Sequence, residues 1–155
     1  MSSCESRTIW WDGGLMLIDQ TRLPGELLPL RMSSVRQLVE AILSLRVRGA
    51  PALGAAGAYG IALAADLCPA GSAPEVMADL EVAAEMIRGA RPTAVNLSWG
   101  VDRALAAAAG ASAGTAEDVQ EAALAEAEAI AEEDIAVNRA LGRIGSKLLD
   151  DGDTV

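Results

Sequence analysis

The stretch APALGAAGAYGIALAADL, residues 50–67, decides the fold, because it predicts a long helix that is apolar on every side. Pro51 is expected to open this helix, since a first-turn residue needs no backbone N–H, and the helix is expected to end near Leu67. A helix without a polar face has to lie at the centre of a core. The helix contains three glycines, Gly54, Gly57 and Gly60. Because glycine has no side chain, neighbouring helices can approach the backbone closely at these positions.

Helical spacing of apolar residues predicts four further helices around this central one. The first is capped by Ser34, and its apolar positions continue to Leu45. The others are predicted from Pro74 to Arg88, from Pro92 or Thr93 to about Ala109, and from Thr115 onward, where Asp118 follows at capping spacing. The last helix carries eight acids and no base between residues 115 and 138, which we interpret as a solvated helix face.

The N-terminal part predicts a small antiparallel β meander. Two strand-like runs, residues 8–11 and 15–18, flank the sequence DGG at residues 12–14, and an Asp-Gly turn between such runs is a strong hairpin signal. A third short strand is predicted over residues 26–30. Such a meander is not stable alone. The predicted fold class is therefore mainly α (α+β), with the meander packed on a helical bundle.

Composition and charge exclude several classes of function. The 155 residues contain no His, which removes Ser-His and Cys-His nucleophile pairs and HExxH metal sites from any mechanism confined to this chain. The two cysteines, Cys4 and Cys68, have no metal-ligand spacing, so no metal is predicted and a reducing cytoplasm is expected. The net charge of −10 argues against nucleic acid as a partner, and no run reaches the roughly 20 apolar residues of a membrane span.

Two segments share a design that predicts an anion site, with phosphate as the expected ligand. In residues 48–51, RGAP, an Arg stands directly before a helix opened by Pro, and residues 91–94, RPTA, repeat this arrangement. A helix N-terminus exposes N–H groups and a partial positive charge, and the guanidinium fork of Arg48 or Arg91 matches two phosphate oxygens. Gly49 lets a ligand reach the backbone. The alternative left open is that each Arg only pairs with an acid or caps a carbonyl.

Other candidate residues have a structural alternative that we favour. Asn96, Ser98 and Trp99 form a polar and aromatic patch that could line a cleft, although a Trp that fills the core is the preferred interpretation. Cys68, at the end of the apolar helix, is interpreted as an inert core thiol. No pair of residues has the pattern of a general acid and its base.

Two motifs resemble the family of S-methyl-5-thioribose-1-phosphate isomerases, the aldose–ketose isomerases of methionine salvage. Residues 48–60, RGAPALGAAGAYG, are similar to the family's RGAPA[IL]G…AYG signature, and residues 91–99, RPTAVNLSW, are similar to its RPTAVNL-W motif. The N-terminal hairpin is similar too, as are residues 134–139 and 150–155. The resemblance covers the chain from about residue 7 to its last residue.

The resemblance implies that Arg48, Gly49, Ala50 and Arg91 bind a sugar phosphate without a cofactor. The family's two catalytic side chains, a Cys in a T-x-C-N-x-G motif and an Asp, have no counterpart here, so no catalytic residue is assigned. Residues 1–149 would be the N-terminal substrate-binding domain. Residues 150–155, with a turn and the start of a strand, would begin the family's Rossmann-like C-terminal domain, which is missing.

The resemblance also sets expectations about activity and partners. The chain alone is expected to be inactive, with the C-terminal domain and a second subunit of a homodimer as its partners. Two alternatives stay open. Regulatory subunits of a translation-initiation guanine-nucleotide exchange factor share this architecture without catalysis, and there the helical domain binds partners or senses ligands. An isomerase of another pentose phosphate would carry the same motifs.

Overall fold

A computed structural model describes residues 7–69 and 71–154 of the protein. A three-stranded antiparallel sheet consists of β1 (Ile9–Trp11), β2 (Leu15–Ile18) and β3 (Pro29–Arg31), in that order. The helices are α1 (Val35–Leu43), α2 (Ala50–Leu67), α3 (Ala73–Ala90), α4 (Val95–Gly110) and α5 (Ala116–Gly145). Short 3-10 turns lie at Gln20–Arg22 and Ser146–Leu148. The predicted class, a small meander on a helical bundle, is confirmed.

The first two strands form the predicted hairpin. Trp11 pairs with Leu15 across a loop in which Gly13 has φ +57°, a conformation that glycine adopts without a Cβ clash. The third strand begins later than predicted, at Pro29, and ends at Arg31. Arg31 fixes that end, because its guanidinium donates hydrogen bonds of 2.6 and 2.9 Å to the carbonyl oxygens of residues 12 and 13.

The central helix is α2, as predicted. It contacts every other helix of the described chain and the first two strands, and twelve of its eighteen residues are buried. Its length and apolar composition would suffice to cross a membrane, but about two thirds of it lie inside the protein core. The absence of a polar face therefore reflects central packing in the bundle.

Glycines set how closely α4 approaches α2, which confirms the expectation of close backbone contact. A Cβ on Gly57 of α2 would collide with the carbonyl oxygen of Leu97 in α4. From the other side, a Cβ on Gly100 of α4 would collide with the carbonyl oxygen of Gly54 in α2. The two helices thus touch through their backbones, and only glycine permits that distance.

The start of α4 differs from the prediction. The helix begins at Val95 rather than at Pro92 or Thr93, and the N–H of Ala94 donates to the carbonyl of Arg91 at 2.9 Å to close a turn. A residue before proline is kept out of the helical region, and Arg91 accordingly has φ −148° and ψ +82°. The chain therefore needs this turn between α3 and α4.

The remaining boundaries lie near their predicted places. α1 ends at Leu43, two residues before Leu45, which has φ +62°. α3 continues to Ala90, just past its expected end. α5 begins with the expected capping box, since the Asp118 N–H donates to Thr115 Oγ1 at 3.2 Å and the Thr115 N–H to Asp118 Oδ2 at 2.7 Å.

Residues after α5 form a turn rather than a strand. The N–H of Asp153 donates to the carbonyl of Asp150 at 3.1 Å, as the predicted turn requires. Thr154, expected to begin a strand, belongs to none. Val155 and Cys4 lie outside the described residues.

Candidate functional site

One cleft of about 320 Å³ brings the two predicted anion segments together. Its walls come from the start of α2, the start of α4 and the turn before α4. The lining residues are Gly49, Ala50, Leu53, Arg91, Thr93, Ala94, Val95 and Asn96. The sequence predicted two sites of one design, whereas in the structure residues of both segments line one cleft, because α2 and α4 begin side by side.

Both helices present N-termini without side-chain caps to this cleft. Gly49 is the N-cap of α2 and Ala94 the N-cap of α4, and neither has a side chain that accepts a hydrogen bond from the first turn. In α4 the Leu97 N–H donates to the Ala94 carbonyl at 2.9 Å, and Pro51 of α2 has no N–H. The N–H groups of Ala50 and Val95 are left for water or a ligand. The partial positive charges of two helix N-termini meet at one place, and an anion placed there would interact with both.

Gly49 is required at its position by its backbone conformation. Its φ is +95°, a value at which an L side chain is strained. A Cβ built on Gly49 would meet nothing within 4 Å, so open space lies beside it. A ligand can therefore reach the backbone at the start of α2, as the sequence predicted.

Arg91 is the only ionisable side chain among the residues that line the cleft. It follows the last residue of α3 and is partly buried. Within residues 7–69 and 71–154 its guanidinium forms no salt bridge. The alternative that Arg91 only neutralises an acid is therefore not observed. A partly desolvated guanidinium without an acidic partner favours a bound anion.

Arg48 lies differently from Arg91. Its side chain is exposed and is absent from the lining of the cleft, although it directly precedes Gly49. It too has no acidic partner in the described part of the chain. The backbone carbonyl of Arg48 accepts a hydrogen bond of 3.4 Å from Gln20 Nε2. The structure thus brings Gly49, Ala50 and Arg91 together and leaves the Arg48 side chain outside.

The segment after β2 anchors the loop that leads into α2. The Gln20 N–H donates to the Arg46 carbonyl at 3.0 Å, and Asp19 Oδ2 lies 3.6 Å from the Arg46 guanidinium. Asp19 is only 4% exposed, and the hydrogen bond from the Thr21 hydroxyl is the main cause that lowers the pKa of its carboxyl. This anchor could not be predicted from the sequence, because no local pattern indicates a contact between residues in different elements.

The predicted polar and aromatic patch is only partly at the cleft. Asn96 lines it, and Ser98 and Trp99 do not. The expectation that Trp99 fills the core is wrong, since its side chain is 44% exposed and the Arg103 guanidinium lies 5.0 Å from its ring centroid. The close approach of α2 and α4 leaves no space for an indole between them. The ring packs on the outside instead, against Gly54.

The cleft can bind but offers no acid–base chemistry of its own. No Asp, Glu, Cys, Lys or Tyr is among its lining residues. In the described ranges there is also no group of three acidic or thiol side chains that could hold a metal ion. Cys68, expected to be an inert core thiol, is only partly buried, and its Sγ lies 3.0 Å from Asp79 Oδ2. It does not line the cleft.

A larger cleft of about 610 Å³ lies between β1, α2 and α5. Its polar groups are largely paired with residues of the same chain. Arg7 forms a 2.6 Å salt bridge with Glu132, and the Asn138 amide donates to Asp134 at 2.9 Å. Because these groups already satisfy one another, the smaller cleft is the better candidate for an anion site.

Comparison with known proteins places the chain among relatives more than twice its length. A relative from Archaeoglobus fulgidus, provisionally named a methylthioribose-1-phosphate isomerase, is 51% identical over 149 residues, which cover 96% of this chain and 43% of the relative. A 5-deoxyribose 1-phosphate isomerase from Moorella thermoacetica is 43% identical over 146 residues, covering 94% of this chain and 42% of that protein. The chain thus spans less than half the length of these relatives.

Solved structures share the fold. The crystal structure named translation initiation factor eIF-2B, subunit delta, from A. fulgidus superposes with a TM-score of 0.90 at 51% identity, covering 95% of this chain and 43% of that one. The 5-methylthioribose 1-phosphate isomerase of Pyrococcus horikoshii gives 0.89 at 35% identity, covering 94% and 41%. Residues 46–155 match the family described as the Initiation factor 2 subunit family. With most of its residues matched, including every residue that lines the cleft, the chain belongs to the Initiation factor 2 subunit family.

Proposed function

We propose that this chain is the substrate-binding part of an aldose–ketose isomerase that converts S-methyl-5-thioribose 1-phosphate to S-methyl-5-thioribulose 1-phosphate. The observation that carries the proposal is the convergence of Gly49, Ala50 and Arg91 on one cleft between two uncapped helix N-termini. Relatives named as isomerases of methylthioribose 1-phosphate support this class of substrate.

In this proposal the phosphate group occupies the cleft. Its oxygens accept hydrogen bonds from the first-turn N–H groups of α2 and α4, at Ala50 and Val95. The Arg91 guanidinium supplies a fork that matches two further oxygens and holds a permanent positive charge. The cleft, about 320 Å³, is at the lower end of the roughly 300–1,000 Å³ of ligand sites, which suits a phosphate and part of a pentose.

The role of this chain in the reaction is orientation. The isomerisation breaks the bond between C1 and the ring oxygen, moves a hydrogen from C2 to C1 and passes the proton of the C2 hydroxyl to the ring oxygen. These transfers need an acid and a base beside those atoms. The residues that line the cleft supply neither. The proposal therefore assigns the proton transfers to the part of the longer enzyme that this chain does not match. A fixed phosphate holds the reacting carbons against those groups. The chain alone is expected to show no turnover.

Calorimetric titration of the chain with S-methyl-5-thioribose 1-phosphate tests the proposal. Arg91→Ala should weaken binding at least tenfold, or about 1.4 kcal/mol. Arg36→Ala is the matched control, because Arg36 is an exposed arginine in α1 without an acidic partner in the described residues. Equal affinities for wild type and Arg91→Ala would refute the proposed phosphate site.

A second candidate function is a non-catalytic ligand sensor. It is favoured by the 51% identity to the structure named as an initiation-factor subunit and by the lack of an acid–base pair at the cleft. The chain fused to the unmatched remainder of the A. fulgidus relative separates the two functions. Turnover supports the isomerase, and binding without turnover supports the sensor.

A related candidate is an isomerase of another pentose phosphate. It is supported by the Moorella thermoacetica relative, whose name specifies 5-deoxyribose 1-phosphate. Competition between that sugar phosphate and the methylthio compound on the fused protein decides between them, because both share the phosphate and differ at C5. The preferred substrate is the one with the higher kcat/KM.

The proposed setting follows from the same argument. We place the chain in the cytoplasm, joined to a Rossmann-like C-terminal domain in a homodimeric enzyme. The supporting observation is that the relatives it matches are more than twice as long. Neither nucleic acid nor a membrane is a proposed partner, given the net charge of −10 and the burial of α2.

A further inference from the structure

A single apolar stripe runs along α5 and continues into the 3-10 turn that follows it. At 3.6 residues per turn, positions spaced by three, four or seven residues lie on one side of a helix. The stripe consists of Val119, Ala123, Ile130, Val137, Leu141, Ile144 and Leu148.

The two halves of this stripe differ completely in burial. Its first three members are at most 3% exposed, because that half of α5 packs on α2 and α4. The other four, which we call the bare stripe, are Val137, Leu141, Ile144 and Leu148, with 57%, 61%, 63% and 82% exposure. Other helices thus cover the first half of the apolar stripe, and no described residue covers the second half.

The bare stripe begins at the end of the bundle that carries the cleft. In α4, Arg103 forms ion pairs with Glu126 and Glu133 of α5, at the seam between the two helices. Val137 lies one turn beyond Glu133. The first turn of α4 lies at this end, where Val95 is 78% exposed and also lines the cleft. Exposed apolar surface of this kind marks an interaction site.

We propose that the bare stripe is the docking seam for the portion of the family polypeptide that this chain does not match. The inference rests on the proposed function in one respect, namely that the chain works as part of a longer enzyme. The part of each relative that this chain does not match is longer than the chain itself. A partner joined to the same polypeptide loses little translational freedom on docking, so a seam of four side chains suffices.

A second copy of this chain fits the bare stripe less well. Four side chains from each of two helices form a small contact against the roughly 1,200–2,000 Å² of a stable interface. Charge also opposes self-pairing. Residues 135–149 contain three bases and no acid, namely Arg139, Arg143 and Lys147. Two copies would bring like charges together, whereas a different surface can present acids to them.

Hydrogen exchange tests the seam in two proteins, the chain itself and its fusion to the unmatched remainder of the A. fulgidus relative. The amides of residues 137–148 should exchange at least tenfold more slowly in the fusion. Leu141→Glu with Ile144→Glu should abolish this protection. Ala136→Glu with Ser146→Glu, two exposed sites on other sides of the same segment, should leave it intact.

Two results would overturn the inference. One is equal exchange of residues 137–148 in the chain and in the fusion. The other is a dimer of the isolated chain, by light scattering, that the Leu141→Glu and Ile144→Glu pair dissociates. Thermal melts of the isolated variants show whether they fold, and the wild-type comparison does not depend on them. Sugar-phosphate affinity of the isolated chain is measured separately, so failure of the seam and failure of the phosphate site are distinguishable.

Discussion

Gly100 of α4 lies directly against the carbonyl oxygen of Gly54 in α2. Because no Cβ stands between them, the two helix backbones touch and their N-termini share one cleft. Gly49 and Val95, 46 positions apart in the chain, line the same wall as a result. The cleft is thus a consequence of how two helices pack.

Gly100→Ala should disturb both stability and binding. The added Cβ collides with the Gly54 carbonyl, so the helices have to separate, and overpacking of this kind destabilises by about 1–3 kcal/mol. Urea unfolding and phosphate titration measure the two effects. Gly89→Ala in α3 is the control, since a Cβ there meets nothing within 4 Å. If both substitutions change the stability equally, backbone contact between α2 and α4 does not control the cleft.

Gln20→Ala should weaken phosphate binding, although Gln20 does not line the cleft. Its side chain holds the Arg48 carbonyl at 3.4 Å, next to the N-cap of α2. Loss of one hydrogen bond, about 0.5–1.5 kcal/mol, corresponds to a roughly two- to tenfold loss of phosphate affinity. Gln37→Ala removes the hydrogen bond that the Ser33 N–H donates to Gln37 Oε1, and it should leave the phosphate affinity unchanged. An unaltered affinity of the Gln20→Ala chain would show that the anchor does not position the cleft.

Asp19→Asn should change how stability depends on pH. The Thr21 hydroxyl chiefly, with Arg46 contributing, lowers the pKa of Asp19 below its usual value of 3.8 in the folded protein. A depressed pKa stabilises the fold above that usual value, and the contribution is lost as the pH falls through the folded pKa. Melting temperatures between pH 6 and pH 2 should therefore fall less steeply for Asp19→Asn than for wild type. Parallel curves for Asp19→Asn and wild type would be the contrary result.

Local patterns predicted most of the fold. An all-apolar run is enough to place α2 at the centre, and Thr115 with Asp118 is enough to start α5, because both signals lie within one element. Gly49, Ala50 and Arg91 were candidates before any geometry was known. What the sequence could not predict was that they share one cleft, since this depends on the contact between Gly54 and Gly100.

The wrong predictions have the same origin. Trp99 was expected inside the core by its size, but the backbone contact of α2 with α4 excludes it. The start of α4 was placed too early, because the turn that Arg91 makes depends on the path from α3. Arg48 has neighbours in sequence similar to those of Arg91, yet it is not among the residues that line the cleft. In each case tertiary geometry overrode the local pattern.

A phosphate titration of the isotope-labelled chain, followed by amide chemical shifts, tests directly whether α2 and α4 hold one anion between them. We expect the amides of Ala50 in α2 and Val95 in α4 to shift together with one dissociation constant. We also expect Arg91→Ala to raise that constant at least tenfold for both amides, while Arg36→Ala leaves it unchanged. Shifts with two unrelated constants, or none at either helix start, would contradict a single anion held between α2 and α4.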